Sequence, residues 1–196
     1  MSSNFFAILS RMKYITRWGL MRNTREENLS EHSLDTAVLA HALALIGNRR
    51  LGKSYDPGLA ALFALYHDAT EILTGDLPTP VKYYNPDIRD AYKQIERSAG
   101  DQLLSYLPED LRPDYAALLF PPEKYLPLVK AADKLSAYIK CTEEEKMGNH
   151  EFDAAAVATR AAIERLSLPE ADIFLREFME GFGLTLDEQT SAEKGK

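Results

Sequence analysis

The residues best equipped for chemistry are His67 and Asp68, adjacent in Tyr66-His67-Asp68-Ala69-Thr70-Glu71 within a largely apolar helical stretch. Titratable groups in such surroundings are costly unless they are paired or hold a metal. Neighbouring helix residues point about 100° apart, so one ion reaches both only at the inner edge of a helix. Glu71 lies three residues from Asp68 and four from His67, a spacing that lets all three face one pocket. A bare His-Asp dipeptide is ordinarily a surface-edge histidine beside an ion pair, and two further residues change that reading. His32 sits in the first turn of a helix, in Ser30-Glu31-His32-Ser33, and Asp133 stands among small and apolar residues in Val129-Lys130-Ala131-Ala132-Asp133-Lys134-Leu135. Alone, the first is a capping-region histidine and the second an ion-paired acid. Together with His67 and Asp68 they supply two imidazoles and two carboxylates from three helices. Such a nitrogen and oxygen set suits a borderline divalent cation with open positions, and leaves manganese, cobalt, iron, nickel and zinc all open.

The elements that must carry these residues are helices, because the apolar spacing is helical throughout and no alternating strand is convincing. Asn4 can cap a first helix with Phe5, Ile8, Leu9, Met12 and Ile15 on one stripe, and Met21 to Glu27 reads as a polar surface loop. Ser30-Glu31 opens a second helix that Gly47 can end. Asp56-Pro57, a cap followed by a first-turn proline, starts a third that runs on to Gly75 through His67 and Asp68. Asn85-Pro86 repeats that signal, Pro108 to Phe120 forms a short helix broken by Pro121-Pro122, and a long helix from about Pro127 to Gly148 carries Asp133. Phe152 to Leu166 and Pro169 to Phe182 complete an all-α domain of about eight helices. Residues 1–188 form that domain, and 189–196 a polar, disordered tail.

The chain has 196 residues, 45% hydrophobic and 27% charged, which fits one soluble domain and excludes collagen-like or wholly disordered chains. Its net charge of -7 opposes binding to nucleic-acid polymers, although a metal or a local cluster of cations can still attract a small anion. Cys141 is the single cysteine, so no disulfide forms within the chain. The basic residues Arg11, Lys13 and Arg17 follow the first apolar run rather than preceding it, and no run nears the roughly 20 apolar residues that span a bilayer. These features predict a cytoplasmic protein with no membrane partner.

The pattern His32, His67-Asp68, Asp133 resembles the HD-domain phosphohydrolases, whose signature is a histidine, a His-Asp pair and a distant aspartate on helices. Arg17-Trp18, the run from Arg22-Asn23 to Glu31-His32-Ser33, His67 to Glu71, and Thr74-Gly75-Asp76-Leu77-Pro78-Thr79-Pro80 are similar to the bacterial 5'-deoxynucleotidase branch. The match covers Phe5 to about Tyr84 and returns from Asp133 to Glu145. Gly19 stands where that branch leads one to expect proline, and no motif beyond Glu143 matches. The resemblance implies a homodimeric, metal-dependent enzyme that hydrolyses deoxyribonucleoside 5'-monophosphates to deoxynucleoside and phosphate, with cobalt or manganese as its ion.

On this reading His32, His67, Asp68 and Asp133 hold the metal, which acidifies a water and polarises the phosphate. His32, Asp68 and Asp133 then also border the substrate. Glu71 positions the water or passes a proton to the leaving 5'-oxygen. Arg17 offers phosphate a bidentate guanidinium fork, although alone it reads as a solvated arginine ending a helix. The resemblance makes Trp18 an apolar wall at the sugar, disfavouring a 2'-hydroxyl that lacks a partner. It brings Asp76 to the sugar hydroxyl or the attacking water and lets Leu77, Pro78 and Thr79 frame the nucleoside. Without it, Gly75 to Thr79 is fully explained as a helix stop and a proline turn. His41 and His150 fall outside the pattern. The alternatives are an HD phosphohydrolase acting on a cyclic nucleotide or a triphosphate, and a metal-binding helical module without turnover.

Overall fold

A computed structural model describes residues 3–82 and 84–191, without the side chain of Thr79. Among the described residues no strand occurs, and the isolated bridge between Thr16 and Asn28 is the nearest approach to one. The helices are α1 (Phe5–Leu9), α2 (Leu29–Arg50), α3 (Pro57–Tyr66), α4 (Glu71–Thr74), α5 (Thr79–Lys82), α6 (Pro86–Ser105), α7 (Arg112–Leu119), α8 (Leu126–Lys146), α9 (Asp153–Arg165), α10 (Pro169–Glu177) and α11 (Leu186–Ser191). The all-α class read from the sequence is therefore the class observed. None of the described helices is long and apolar enough to cross a membrane. The first three residues of the stretch read as a tail are helical in α11, and 192–196 lie outside the described residues.

Two apolar clusters hold these helices. The larger joins α2, α3, α8, α9 and α10 through Leu43, Phe63, Leu128, Leu135, Ile163 and Phe174. The smaller gathers Phe5, Ala69, Leu103, Leu107 and Leu119. Ala64 belongs to the first and Ala69 to the second, so His67 and Asp68 sit at the seam between them. Burying one large aliphatic side chain is worth roughly 1.5–3 kcal/mol, and both ends of this seam are fixed by such burial. On α8 the small residues Ala132 and Ser136 let α2 approach until His32 meets Ser136.

Four expectations need correction. The helix read from Pro169 to Phe182 ends at Glu177 and gives way to a 3-10 turn over Met179–Gly183. The third helix does not run unbroken to Gly75. It stops at Tyr66, because the His67 ring takes the Ala64 carbonyl through Nδ1 at 2.6 Å and the backbone tightens into bonds three residues apart (Ala69 to Tyr66, Glu71 to Asp68). The second helix starts at Leu29 on an Asn28 cap, whose side chain accepts from Ser30 and Glu31 while Glu31 bonds back to Asn28. It also passes through Gly47, where a Cβ would lie 2.8 Å from the Glu170 carboxylate, so that glycine permits close packing rather than a stop. The first helix lasts only to Leu9, continues as a 3-10 turn over Ser10–Tyr14, and has no side-chain cap from Asn4.

Met21 to Glu27, read as a polar surface loop, belongs to a tightly tethered stretch over residues 16–28. Arg17 N donates to Glu27 O and Leu29 N to Ile15 O, both at 2.9 Å, closing the neck. At the tip the buried Glu144 carboxylate accepts from Thr24 N at 3.0 Å, Thr24 Oγ1 at 2.7 Å and Asn149 Nδ2 at 2.7 Å, and from Lys140 Nζ. Burial would raise its pKa, but these donors hold it down from 4.5 to about 2. A depressed carboxylate stabilises the fold fully above its ordinary value and loses that contribution as pH falls toward its folded value. Glu144→Gln is therefore expected to cost about 3 kcal/mol near neutral pH, because it leaves Lys140 buried without its counter-charge. Denaturant unfolding of both proteins should show the gap closing as pH drops from about 4.5 to about 2.

Candidate active site

Four side chains converge on one point from three directions. His32 comes from the first turn of α2 and is fully buried, His67 and Asp68 come from the turn after α3, and Asp133 comes from α8. His67 Nε2 lies 3.1 Å from Asp68 Oδ2 and 4.0 Å from Asp133 Oδ1. His32 Nε2 lies 3.3 Å from Asp133 Oδ1 and 3.6 Å from Asp68 Oδ2. Metal bonds of about 2.1 Å set neighbouring ligands roughly 3 Å apart, so this spacing suits one divalent cation. His67 Nδ1 is committed to Ala64 O, whereas its buried Nε2 has no hydrogen-bond partner among the described residues and points where an ion would sit. Donor atoms of His32, His67 and Asp68 all lie within 4.8 Å of one another.

The charges agree with this fit. Burial opposes ionisation of Asp68, yet the two imidazoles hold it down to about 2, and Asp133 is lowered by the same neighbours. Burial also disfavours an imidazolium at His67, but Asp68 and Asp133 outweigh it and push the group up to about 9. Two anionic carboxylates thus create a strong demand for positive charge between them, and a divalent ion with neutral imidazoles meets it.

Around this cluster stand the other residues singled out in the sequence. Arg17 Nη1 approaches Asp68 Oδ2 at 3.4 Å. Glu71 is buried with one carboxylate oxygen lacking a partner, and burial, reinforced by Asp68 and Asp76, pushes its pKa up to about 9. Gly75, at a φ of 75°, turns the chain out of α4 toward Asp76. That carboxyl is half-buried and raised, chiefly by burial, with Arg17 the main opposing charge. Trp18, held at a φ of 58°, donates its indole N–H to Glu27 Oε2 at 2.7 Å and packs on Phe152 at 5.2 Å. Gly19 after it removes the restriction that a following proline would place on Trp18. Leu77 and Pro78 are half-buried on the turn into α5, and no described contact joins them to the metal cluster; the Thr79 side chain lies outside the described residues. His41 is exposed on α2 and His150 pairs with Asp153, both away from the cluster. Sequence reasoning missed Ser136, Glu144 and Glu27. Only Glu27 left a signal, being an acid five residues before His32 in a stretch dense with matched motifs.

Comparison with known proteins gives the family of the chain. Residues 4–182 match the family described as 5'-deoxynucleotidase YfbR-like. The chain belongs to this family. It is 50% identical over 190 residues to a 5'-deoxynucleotidase of Photobacterium profundum, covering 95% of this chain and 97% of that one. It is 51% identical over 189 residues to a 5'-deoxynucleotidase of Erwinia tasmaniensis, covering 95% and 96%. Among solved structures, an HD-domain phosphohydrolase from Listeria innocua superposes with a TM-score of 0.80 at 24% identity, over 97% and 96% of the two chains. A cyanophage S-2L HD phosphohydrolase, bound to dA and one catalytic zinc ion, superposes with a TM-score of 0.66 at 22% identity, over 89% and 96%. At those identities the likeness establishes the fold.

For this YfbR-like chain, His67→Ala should reduce bound divalent metal, measured by elemental analysis after stripping and reloading, by at least about tenfold. Metal retained at the wild-type level would remove His67 from the ligand set.

Proposed function

We propose that the chain hydrolyses deoxyribonucleoside 5'-monophosphates to deoxynucleoside and phosphate. The observation that carries this reading is the convergence of His32, His67, Asp68 and Asp133 beside the Arg17 guanidinium and the buried, partnerless Glu71 carboxyl. The four ligands would hold cobalt or manganese, which when bound supplies Lewis acidity toward the phosphate and lowers the pKa of water. Arg17 binds phosphate oxygens through its planar fork. Glu71, held neutral by its surroundings, keeps a proton at its carboxyl and delivers it to the 5'-oxygen as the bond from phosphorus to that oxygen breaks and water oxygen replaces it, and the proton released by that water returns to the Glu71 carboxylate. Asp76 receives the sugar hydroxyl. Trp18, with Leu77, Pro78 and Thr79, frames the nucleoside and offers a 2'-hydroxyl no partner.

A single phosphate fits the local charge better than a triphosphate. Arg22 is engaged by Glu151 at 2.7 Å, Arg25 by Glu31 at 3.5 Å and Lys82 by Glu96 at 2.8 Å, so the cations at the cluster itself are Arg17, 3.4 Å from Asp68, and Lys134, 3.8 Å from Asp133. The protein works as a homodimer in the cytoplasm on this reading. Leu34, Val38 and Leu45 form an exposed stripe on α2 that suits a second copy, and Cys141 is buried and unpaired.

Metal-stripped protein is expected to release phosphate from deoxyadenosine 5'-monophosphate once cobalt or manganese is restored, and to leave adenosine 5'-monophosphate and deoxyadenosine 3'-monophosphate largely intact. Equal turnover of the ribonucleotide would overturn the substrate assignment. Glu71→Ala should lower kcat by about 100-fold or more while metal content stays near wild type, since its role is proton transfer rather than ligation. Loss of metal together with activity would make Glu71 structural.

A further inference from the structure

Glu27 lies in the part of the chain that looked least structured, yet it is among the most buried acids of the fold and is shared by three functional side chains. Its Oε2 accepts the Trp18 indole N–H at 2.7 Å and lies 3.7 Å from Arg17 Nε. Its Oε1 lies 3.6 Å from His32 Nδ1. His32 therefore stands between Glu27 and Ser136 Oγ (3.1 Å) on one edge and the cation cluster on the other. Arg17 in turn stands between two carboxylates, Glu27 and Asp68, on opposite sides of its guanidinium.

We propose that Glu27 is a positioning residue that fixes the phosphate clamp, the aromatic wall and the first imidazole ligand relative to one another. This rests on the functional reading above for the roles of those three groups. Two consequences follow from the geometry. Ser136 Oγ is the hydrogen-bond partner of Nδ1 at 3.1 Å, and the Glu27 carboxylate 3.6 Å from that nitrogen favours its proton by charge, which leaves Nε2, with Thr36 Oγ1 3.4 Å away, facing the cation; an outer carboxylate acts on a metal-bound histidine in this sense. A second negative charge on the far side of Arg17 also draws the guanidinium back from Asp68. Without it Arg17 would pair with Asp68 alone and compete with the metal for a ligand oxygen. The backbone supports the same placement, because the neck bond from Arg17 N to Glu27 O fixes the two residues side by side. Glu27 does not touch the reacting atoms. It acts through the groups that do.

The test uses Glu27→Gln and Glu27→Ala in the full chain, with readouts that do not depend on turnover. Trp18 is the only tryptophan, so its emission and acrylamide quenching in metal-free, substrate-free protein report the Glu27 contact directly. Glu27→Ala is expected to shift that emission and raise quenching. Both variants should weaken manganese binding to the stripped protein by about tenfold, read by calorimetry, as loss of an outer partner of a ligand histidine typically does. At saturating manganese, Glu27→Gln should raise KM for deoxyadenosine 5'-monophosphate while kcat stays within about threefold, the signature of a loosened clamp. A purely structural residue would lower the unfolding temperature and leave manganese affinity unchanged. Should Glu27→Ala fail to fold, the isosteric Glu27→Gln decides the matter through metal affinity and KM. Wild-type manganese affinity and wild-type Trp18 quenching in the variants would overturn the proposal. Normal manganese affinity with altered quenching would also overturn it, by separating Trp18 from the metal side. If the wild-type protein released no phosphate, the functional reading would fall, while quenching and metal affinity would still decide the role of Glu27.

Discussion

The constraint on which the structure depends is the gathering of two ionised carboxylates, the largely buried Asp68 and the half-buried Asp133, within hydrogen-bond or ion-pair reach of two imidazoles. Carboxylates in such a place are strongly unfavourable unless a cation answers them. Everything nearby serves that requirement. His67 gives one nitrogen to the Ala64 carbonyl so that the other faces the cluster, His32 turns its second nitrogen toward Ser136 and Glu27, and Arg17 adds positive charge at the edge. Burial, reinforced by Asp68 and Asp76, pushes the Glu71 carboxyl up to about 9.

The fold meets this condition through a seam and a clasp. The seam between the larger and smaller apolar clusters is where α3 ends, and the tight turn there presents His67 and Asp68 together. The clasp is Glu144 with Lys140 near the end of α8, which grips the loop carrying Arg17 and Trp18 from the helix that also carries Asp133. The His-Asp cluster and the loop bearing Arg17 and Trp18 are therefore tied to a common support, and about 3 kcal/mol in the clasp bears on both, a large share of an ordinary domain's stability of about 5–15 kcal/mol.

Much of this was legible in the residues. The helical apolar spacing and the caps at Asp56-Pro57 and Asn85-Pro86 placed the long helices, and His32, His67, Asp68 and Asp133 stood out because acids and histidines among apolar and small residues demand a reason. The break after Tyr66 was not legible, because it depends on a side chain competing with the backbone for one carbonyl, which periodicity does not register. Gly47 misled for a related reason: glycine marks both helix stops and close packing, and only the position of Glu170 tells them apart. Glu27 and Glu144 were hidden because charged residues in loops or near helix ends read as solvated. Their burial arises from contacts across 9 and 120 residues of chain, to Trp18 and Thr24.

The account stands most directly on where a divalent ion binds. Anomalous diffraction from crystals grown with manganese is expected to show one strong peak bounded by His32 Nε2, His67 Nε2 and the carboxylates of Asp68 and Asp133, with Arg17 at its edge. A peak at another place, or none at saturating manganese, would contradict the claim that the gathered carboxylates exist to hold a metal.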